Sequence, residues 1–207
     1  AGYRCSLRLP RPDVDHRPLE AGGGMTWELI RITGLVSLAL LTVSVALGIA
    51  GPAIRRPTGR LTSVSVHLTA AVGGTVLVIA HVVFAVLDSW VSVPLSAAFL
   101  PGTSQWEPLW IGVGTVAFDL MLVIAVTSAL RQRAPRLWWR AHLVAYPAWM
   151  LVWLHALTIG TDRTTTLMFA MAAVSAAIVA AAVAIRLMSP KGPVGINSAP
   201  ERIEVLQ

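Results

Sequence analysis

The sequence predicts an all-α integral membrane protein built as a bundle of five transmembrane helices. Three observations carry that prediction. Of the 207 residues, 56% are hydrophobic and 13% are charged, roughly half the charge of an ordinary soluble domain. Five stretches stay apolar over the roughly 20 residues that a helix needs to cross a bilayer. The arginines between them are gathered in short loops, where they set topology. The net charge of +6 is therefore a membrane signal and no sign of a nucleic-acid partner; the expected surrounding is the lipid bilayer.

Residues 1–24 are polar and rich in Pro, Gly and Arg. They show no apolar periodicity and read as a disordered tail, extending to residue 27. No apolar run precedes Met25, so the tail is not expected to be a signal peptide, and Met25 is a candidate start. His16 reads as a solvated tail histidine. Cys5 is the only cysteine, which excludes an internal disulfide, a thiolate cluster and Cys-pair haem attachment.

The first span is Ile32 to Ile54, with Glu28 and Arg31 just ahead of it. Gly51-Pro52 should end its helix. Arg55, Arg56 and Arg60 lead into the second span, Leu61 to Leu87. The loop from Asp88 to Glu107 has no Lys or Arg, and Trp90, Trp106 and Trp110 flank it as an interfacial belt would. The third span, Leu109 to Leu130, is broken by Asp119, which should face the bundle as a packing hydrogen-bonder or a proton-linked group. Arg131, Arg133, Arg136 and Arg140 crowd the next loop. The fourth span runs from Trp138 to Asp162 and the fifth from Thr164 to Ile185, with a loose tail over 188–207. Both arginine loops belong in the cytoplasm by the positive-inside rule. The expected protein is thus a multi-pass protein of the plasma membrane, with its N-terminus outside and its C-terminus inside.

Four of the five histidines lie inside two of these spans, His67 and His81 in the second, His142 and His155 in the fourth. An ionisable side chain in a membrane span is costly and marks function by default. Fourteen residues separate His67 from His81, about 40° short of four helical turns and a rise of about 21 Å. Both rings therefore leave one face at two depths. Thirteen residues separate His142 from His155, which on an ideal helix leaves them about 140° out of phase. Pro147 lies between them and should distort the helix enough to re-phase it. The second and fourth helices run parallel in this topology. Two parallel helices with histidines at matched depths can clamp one macrocycle at each depth. The expected cofactors are two haems b, an inner one on the iron ligands His67 and His142 and an outer one on His81 and His155. Zinc fits badly, because its ligands must converge on one point. Histidines acting only as polar links between helices are the plain alternative. Arg140 and Arg31 are the candidate partners of the inner and outer haem propionates, against a simple role in topology. Gly73 and Gly74, midway between the second helix's histidines, would either leave room for porphyrin or serve helix packing. Trp149 and Trp153 lie between the two depths, as packing or as couplers.

These residues resemble the ferric reductase-like transmembrane domain family, shared by ferric reductases, NADPH oxidases and the haem subunit of bacterial methionine-sulfoxide reductase systems. The likeness rests on paired histidines spaced fourteen and thirteen, Thr127-Ser128 closing the third helix, the arginine-rich loop, and Trp139, Arg140, His142, Tyr146 and His155. It covers residues 28–187. It implies a dihaem domain over that range and allows a sixth helix, which many members have. Family oxidoreductases often continue into a flavin and nicotinamide domain, but this sequence has no glycine-rich nucleotide loop. The chain is therefore expected to be an oxidoreductase component that carries electrons and takes no hydride itself. A separate flavoprotein or reductase would be its donor or acceptor, with a flavin or quinone supplied at the membrane surface or by that partner. Electrons moving outward from a cytoplasmic-side donor to an outer-side acceptor gain about 2.3 kcal/mol per 100 mV of inside-negative potential. A quinol-linked cytochrome b anchor is the competing redox expectation, and a non-redox membrane protein the third.

Overall fold

The computed structural model describes residues 25–54, 57–88, 91 and 93–189. Cys5, His16, Arg55, Arg56, Trp90 and the tail beyond 189 lie outside the described residues. The described chain is helical throughout: α1 (Met25–Ala50), α2 (Pro57–Leu87), α3 (Pro108–Ala129), α4 (Pro135–His142), α5 (Ala145–Ile159) and α6 (Thr166–Met188). By length and apolarity five segments can cross a membrane: α1, α2, α3, α6, and α4 with α5 taken as one. The protein is a multi-pass membrane protein with the five spans expected.

The ends follow from local chemistry. α1 stops at Ala50, and Gly51–Ala53 form one 3₁₀ turn with Pro52 inside it. Proline opens the first turn of α2, α3 and α4, where its missing N–H costs nothing and its fixed φ suits a helix. The Thr165 hydroxyl accepts from the Met168 N–H at 3.3 Å and caps α6. α1 starts a full turn earlier than Glu28, so Glu28 and Arg31 are helical residues and not loop residues.

The expected distortion lies one turn ahead of Pro147. The fourth span is two helices, parted at Leu143 and Val144. Pro147 has no N–H to give the Leu143 carbonyl, and its ring crowds that carbonyl. The chain answers with tighter bonds, Val144 N–H to Ala141 O at 3.0 Å and Tyr146 N–H to Leu143 O at 3.4 Å. Regular α bonding resumes with Ala148 N–H to Val144 O at 3.0 Å. Each residue in 3₁₀ geometry turns about 20° further than in an α-helix, so the break reduces the 140° shortfall between His142 and His155.

Packing is uneven. α1 lies along α2 and also touches α5 and α6, while α3 lies against α4 and α5. Among the described residues α2 makes no extended contact with α4 or α5. The two histidine-bearing segments thus face each other across a gap whose side walls are α1 and α3. Gly73 and Gly74 point away from that gap. A Cβ on Gly74 would lie 3.0 Å from Leu41 Cδ2, and one on Gly73 3.4 Å from Leu40 Cδ1. Both glycines serve the packing of α2 on α1.

The helices on the other side of α1 close around Leu38, Trp153 and Met168. The indole N–H of Trp149 donates to Thr42 Oγ1 at 3.0 Å, and that hydroxyl donates to Leu38 O at 2.9 Å. Thr42 is fully buried, so this chain of bonds ties α5 to α1 where no water can replace it. Thr42→Val keeps the shape and removes the acceptor. It should lower stability by about 1 kcal/mol, read as a lower unfolding midpoint in detergent, and Thr42→Ser should recover most of that loss.

Candidate functional site

Three of the four membrane histidines are held in the same way. His67 Nδ1 donates to the Ser44 carbonyl at 2.8 Å, His81 Nδ1 to the Ile30 carbonyl at 2.9 Å, and His155 Nδ1 to the Trp110 carbonyl at 2.8 Å. A carbonyl can only accept, so Nδ1 carries the proton in each ring and Nε2 keeps its lone pair. This is the arrangement that orients an imidazole as a metal ligand and raises its basicity. The Ser44 hydroxyl adds a contact at 3.2 Å to His67 Nδ1.

Each carbonyl stands four residues before a glycine: Ile30 before Gly34, Ser44 before Gly48, Trp110 before Gly114. A helical carbonyl already accepts from the N–H four residues on. A side chain at that residue would cover its second lone pair. The glycines keep it open. A Cβ on Gly34 would sit 3.1 Å from His81 Nδ1, one on Gly48 3.5 Å from His67 Cε1, and one on Gly114 2.6 Å from His155 Nδ1. At Gly34 and Gly114 the imidazole lies in a groove that a side chain would crowd, whereas at Gly48 a Cβ would meet only ordinary contact.

His142 completes the inner pair from the end of α4. Its ring centre lies 6.1 Å from that of His67, with the planes at 65°. Two imidazoles on opposite sides of one metal, each bonded at about 2 Å, place their ring centres roughly 6 Å apart. Trp138, one turn earlier on α4, lies against His142 with ring centres 5.2 Å apart and planes tilted by 37°. His142 Nδ1 is buried and, among the described residues, has no hydrogen-bond partner.

His81 and His155 line one cavity between α1, α2, α3 and α5. The cavity holds about 260 Å³, and its wall is largely apolar. Gly34 and Gly114 form part of that wall, and Arg31 and Asp162 are at its edge. Arg31 donates to both Asp162 carboxylate oxygens, at 2.8 and 2.9 Å, and to Glu28 at 3.2 Å. Arg140 stands exposed in the last turn of α4, two residues before His142. Asp119 is half-buried on α3. Among the described residues no three His, Cys, Asp or Glu side chains converge as a bare-ion site would require. The histidines come in twos, which suits a planar group that brings its own equatorial ligands. The paired rings, the free Nε2 atoms and the glycine grooves all fit haem.

The sequence spacing predicted His67 beside His142, and their rings lie 6.1 Å apart. The three glycines opposite the histidines were missed, although the fourteen-residue spacing of Gly34 and Gly48 repeats that of His67 and His81 and could have drawn attention to them.

The distances order the glycines. Gly114→Ala puts a carbon where His155 must move, so the haem content should fall. Gly48→Ala meets only ordinary contact and should leave it unchanged. Haem per chain, measured by pyridine haemochrome on monodisperse protein, checks the contrast.

The family model of the ferric reductase like transmembrane component matches residues 33–153. No curated protein and no solved structure gives a match. That stretch contains His67, His81 and His142, the glycine grooves that receive His81, His67 and His155, and the break ahead of Pro147, and the chain belongs to the ferric reductase-like transmembrane family.

Proposed function

We propose that this protein carries electrons across the membrane on two b-type haems, as the membrane subunit of an oxidoreductase. The observation that carries the reading is the recurring seat: an imidazole whose Nδ1–H is given to a neighbouring helix and whose Nε2 is left for a metal. A haem bound by two imidazoles supplies one-electron redox chemistry and offers no open axial position to a substrate.

The chain's own part is to hold and insulate. His67 and His142 are the ligands of the inner haem, and His81 and His155 those of the outer. α1 and α3 fix three of these rings through carbonyls that do not titrate. The apolar wall of the outer cavity excludes water and so limits the charge rearrangement around a redox centre. Arg140 is the cation beside the inner pair. Arg31 is the cation at the outer cavity, sharing its charge with Asp162 and Glu28. The arginine loops lie at the same end as His67 and His142, so the inner pair faces the cytoplasm under the positive-inside rule. The electron donor and acceptor are separate proteins, a flavoprotein or a reductase, docking at the two faces.

The pairing has a direct test. His67→Ala and His142→Ala should each remove the same haem, recognised by its midpoint potential in an optical redox titration. His81→Ala and His155→Ala should each remove the other. If His67→Ala and His142→Ala remove different haems, the pairing is wrong. If the wild-type protein purified after haem-supplemented expression contains none, the electron-transfer reading is wrong.

A further inference from the structure

Three imidazoles have a seat in a neighbouring helix, and the fourth has none. On α1 the seat is one motif used twice, Ile30 with Gly34 and Ser44 with Gly48. The repeat is fourteen residues, as it is for the histidines that fill it. On α3 the motif begins with Trp110 and Gly114. Fourteen residues further along, it falls on Ile124 and Ser128. A step of fourteen is about 40° short of four turns and a rise of about 21 Å. Ser128 therefore leaves α3 on nearly the face of Gly114, at the depth where α4 brings His142.

Serine changes what the seat can do. At Gly114, the same position of the α3 motif, a Cβ would come 2.6 Å from the ring, so at Ser128 the side chain stands between a ring and the Ile124 carbonyl. Its hydroxyl can take the carbonyl's place. Two polar groups at this depth are unmatched among the described residues: His142 Nδ1, buried and without a partner, and the half-buried Ser128 hydroxyl, which makes no hydrogen bond. In a membrane interior the buried imidazole N–H is costly to leave so.

We propose that Ser128 is the positioning residue for His142: its hydroxyl accepts the Nδ1–H of His142 and donates its own proton back to the Ile124 carbonyl, four residues earlier. Serine in a helix commonly makes that backward bond. The inner haem then has one ligand oriented by a carbonyl and one by a hydroxyl, whereas both outer ligands are oriented by carbonyls. This rests on the dihaem reading above.

The test uses the full chain in detergent, as wild type and as S128A, S128T and S128G. Three quantities are read: haem per chain, the midpoint potential of each haem, and the low-spin ferric EPR signals. The inner haem is identified as the one that His142→Ala removes. S128A takes away the acceptor and so lowers the basicity of His142. The inner potential should rise and its EPR signal shift, with the outer haem unmoved. S128T should behave as wild type. S128G recreates the seat used by the other three histidines, so it should bring the inner haem back towards its wild-type potential. A residue that only packs would rank glycine below alanine, because glycine weakens a helix by about 1 kcal/mol relative to alanine. S128A with both potentials and both signals at wild-type values overturns the proposal. So does loss of the inner haem in S128A that S128G does not restore. A wild-type protein with fewer than two haems overturns the dihaem reading instead, and this inference falls with it.

Discussion

An imidazole has two nitrogens, and in a membrane both must be accounted for. One keeps a proton that needs an acceptor, since lipid offers none. Here the acceptor is a main-chain carbonyl of the adjacent helix. That single requirement shapes the bundle. The carbonyl already serves its own helix, and its free lone pair is easiest to reach where the residue four places on has no side chain, a need that is strict at Gly114, tight at Gly34 and slack at Gly48. The glycine must face the histidine, and the two helices must be in register. α1 is therefore bound to α2, and α3 to α5, by the rings themselves. The gap between α2 and α5 is left over, and the free nitrogens belong to it.

The two histidine pairs reach this arrangement by different means. α2 is one unbroken helix whose fourteen-residue spacing nearly returns to the same face. The α4–α5 segment has one residue fewer and a proline. Without the break, His142 and His155 would point to different sides of the bundle. With it, α4 becomes a separate eight-residue helix that packs against α3 with Ala141 buried. His81 and His155 are thus carried by the longer helices α2 and α5. His142 sits at the end of a short one, in the part of the site that local contacts can tune most easily.

Much of this was legible before any coordinates. The five spans follow from where charge is absent. The approach of His67 to His142 follows from spacing, and the break follows from Pro147. What could not be read was register between helices. Gly73 and Gly74 drew attention because they lie on the histidine helix itself, yet they face Leu40 and Leu41 of α1. The glycines that matter lie on the opposite helices, and only the alignment of α1 with α2 and of α3 with α5 identifies them. Trp149 and Trp153 likewise gained meaning from their neighbours, Thr42 for one and Leu38 with Met168 for the other.

The outer rim shows how charge is used where the bundle meets the interface. Arg31 and Asp162 are 131 residues apart, yet they form a two-pronged ion pair, and Glu28 adds a third charge. Both partners are partly exposed, so the pair contributes about 1 kcal/mol or less to stability. Its effect is geometric. Arg31 belongs to α1 and Asp162 to the turn between α5 and α6, so the pair fixes the cavity's edge to two of its walls. Thr26, which donates to Asp88 Oδ1 at 2.9 Å, links α1 to the end of α2 in the same way. A guanidinium already facing two carboxylates carries little net positive field. At this end of the protein the arginine is first a brace that holds α1 at the height where Ile30 can receive His81, and the electrostatic and histidine networks meet in that one helical turn.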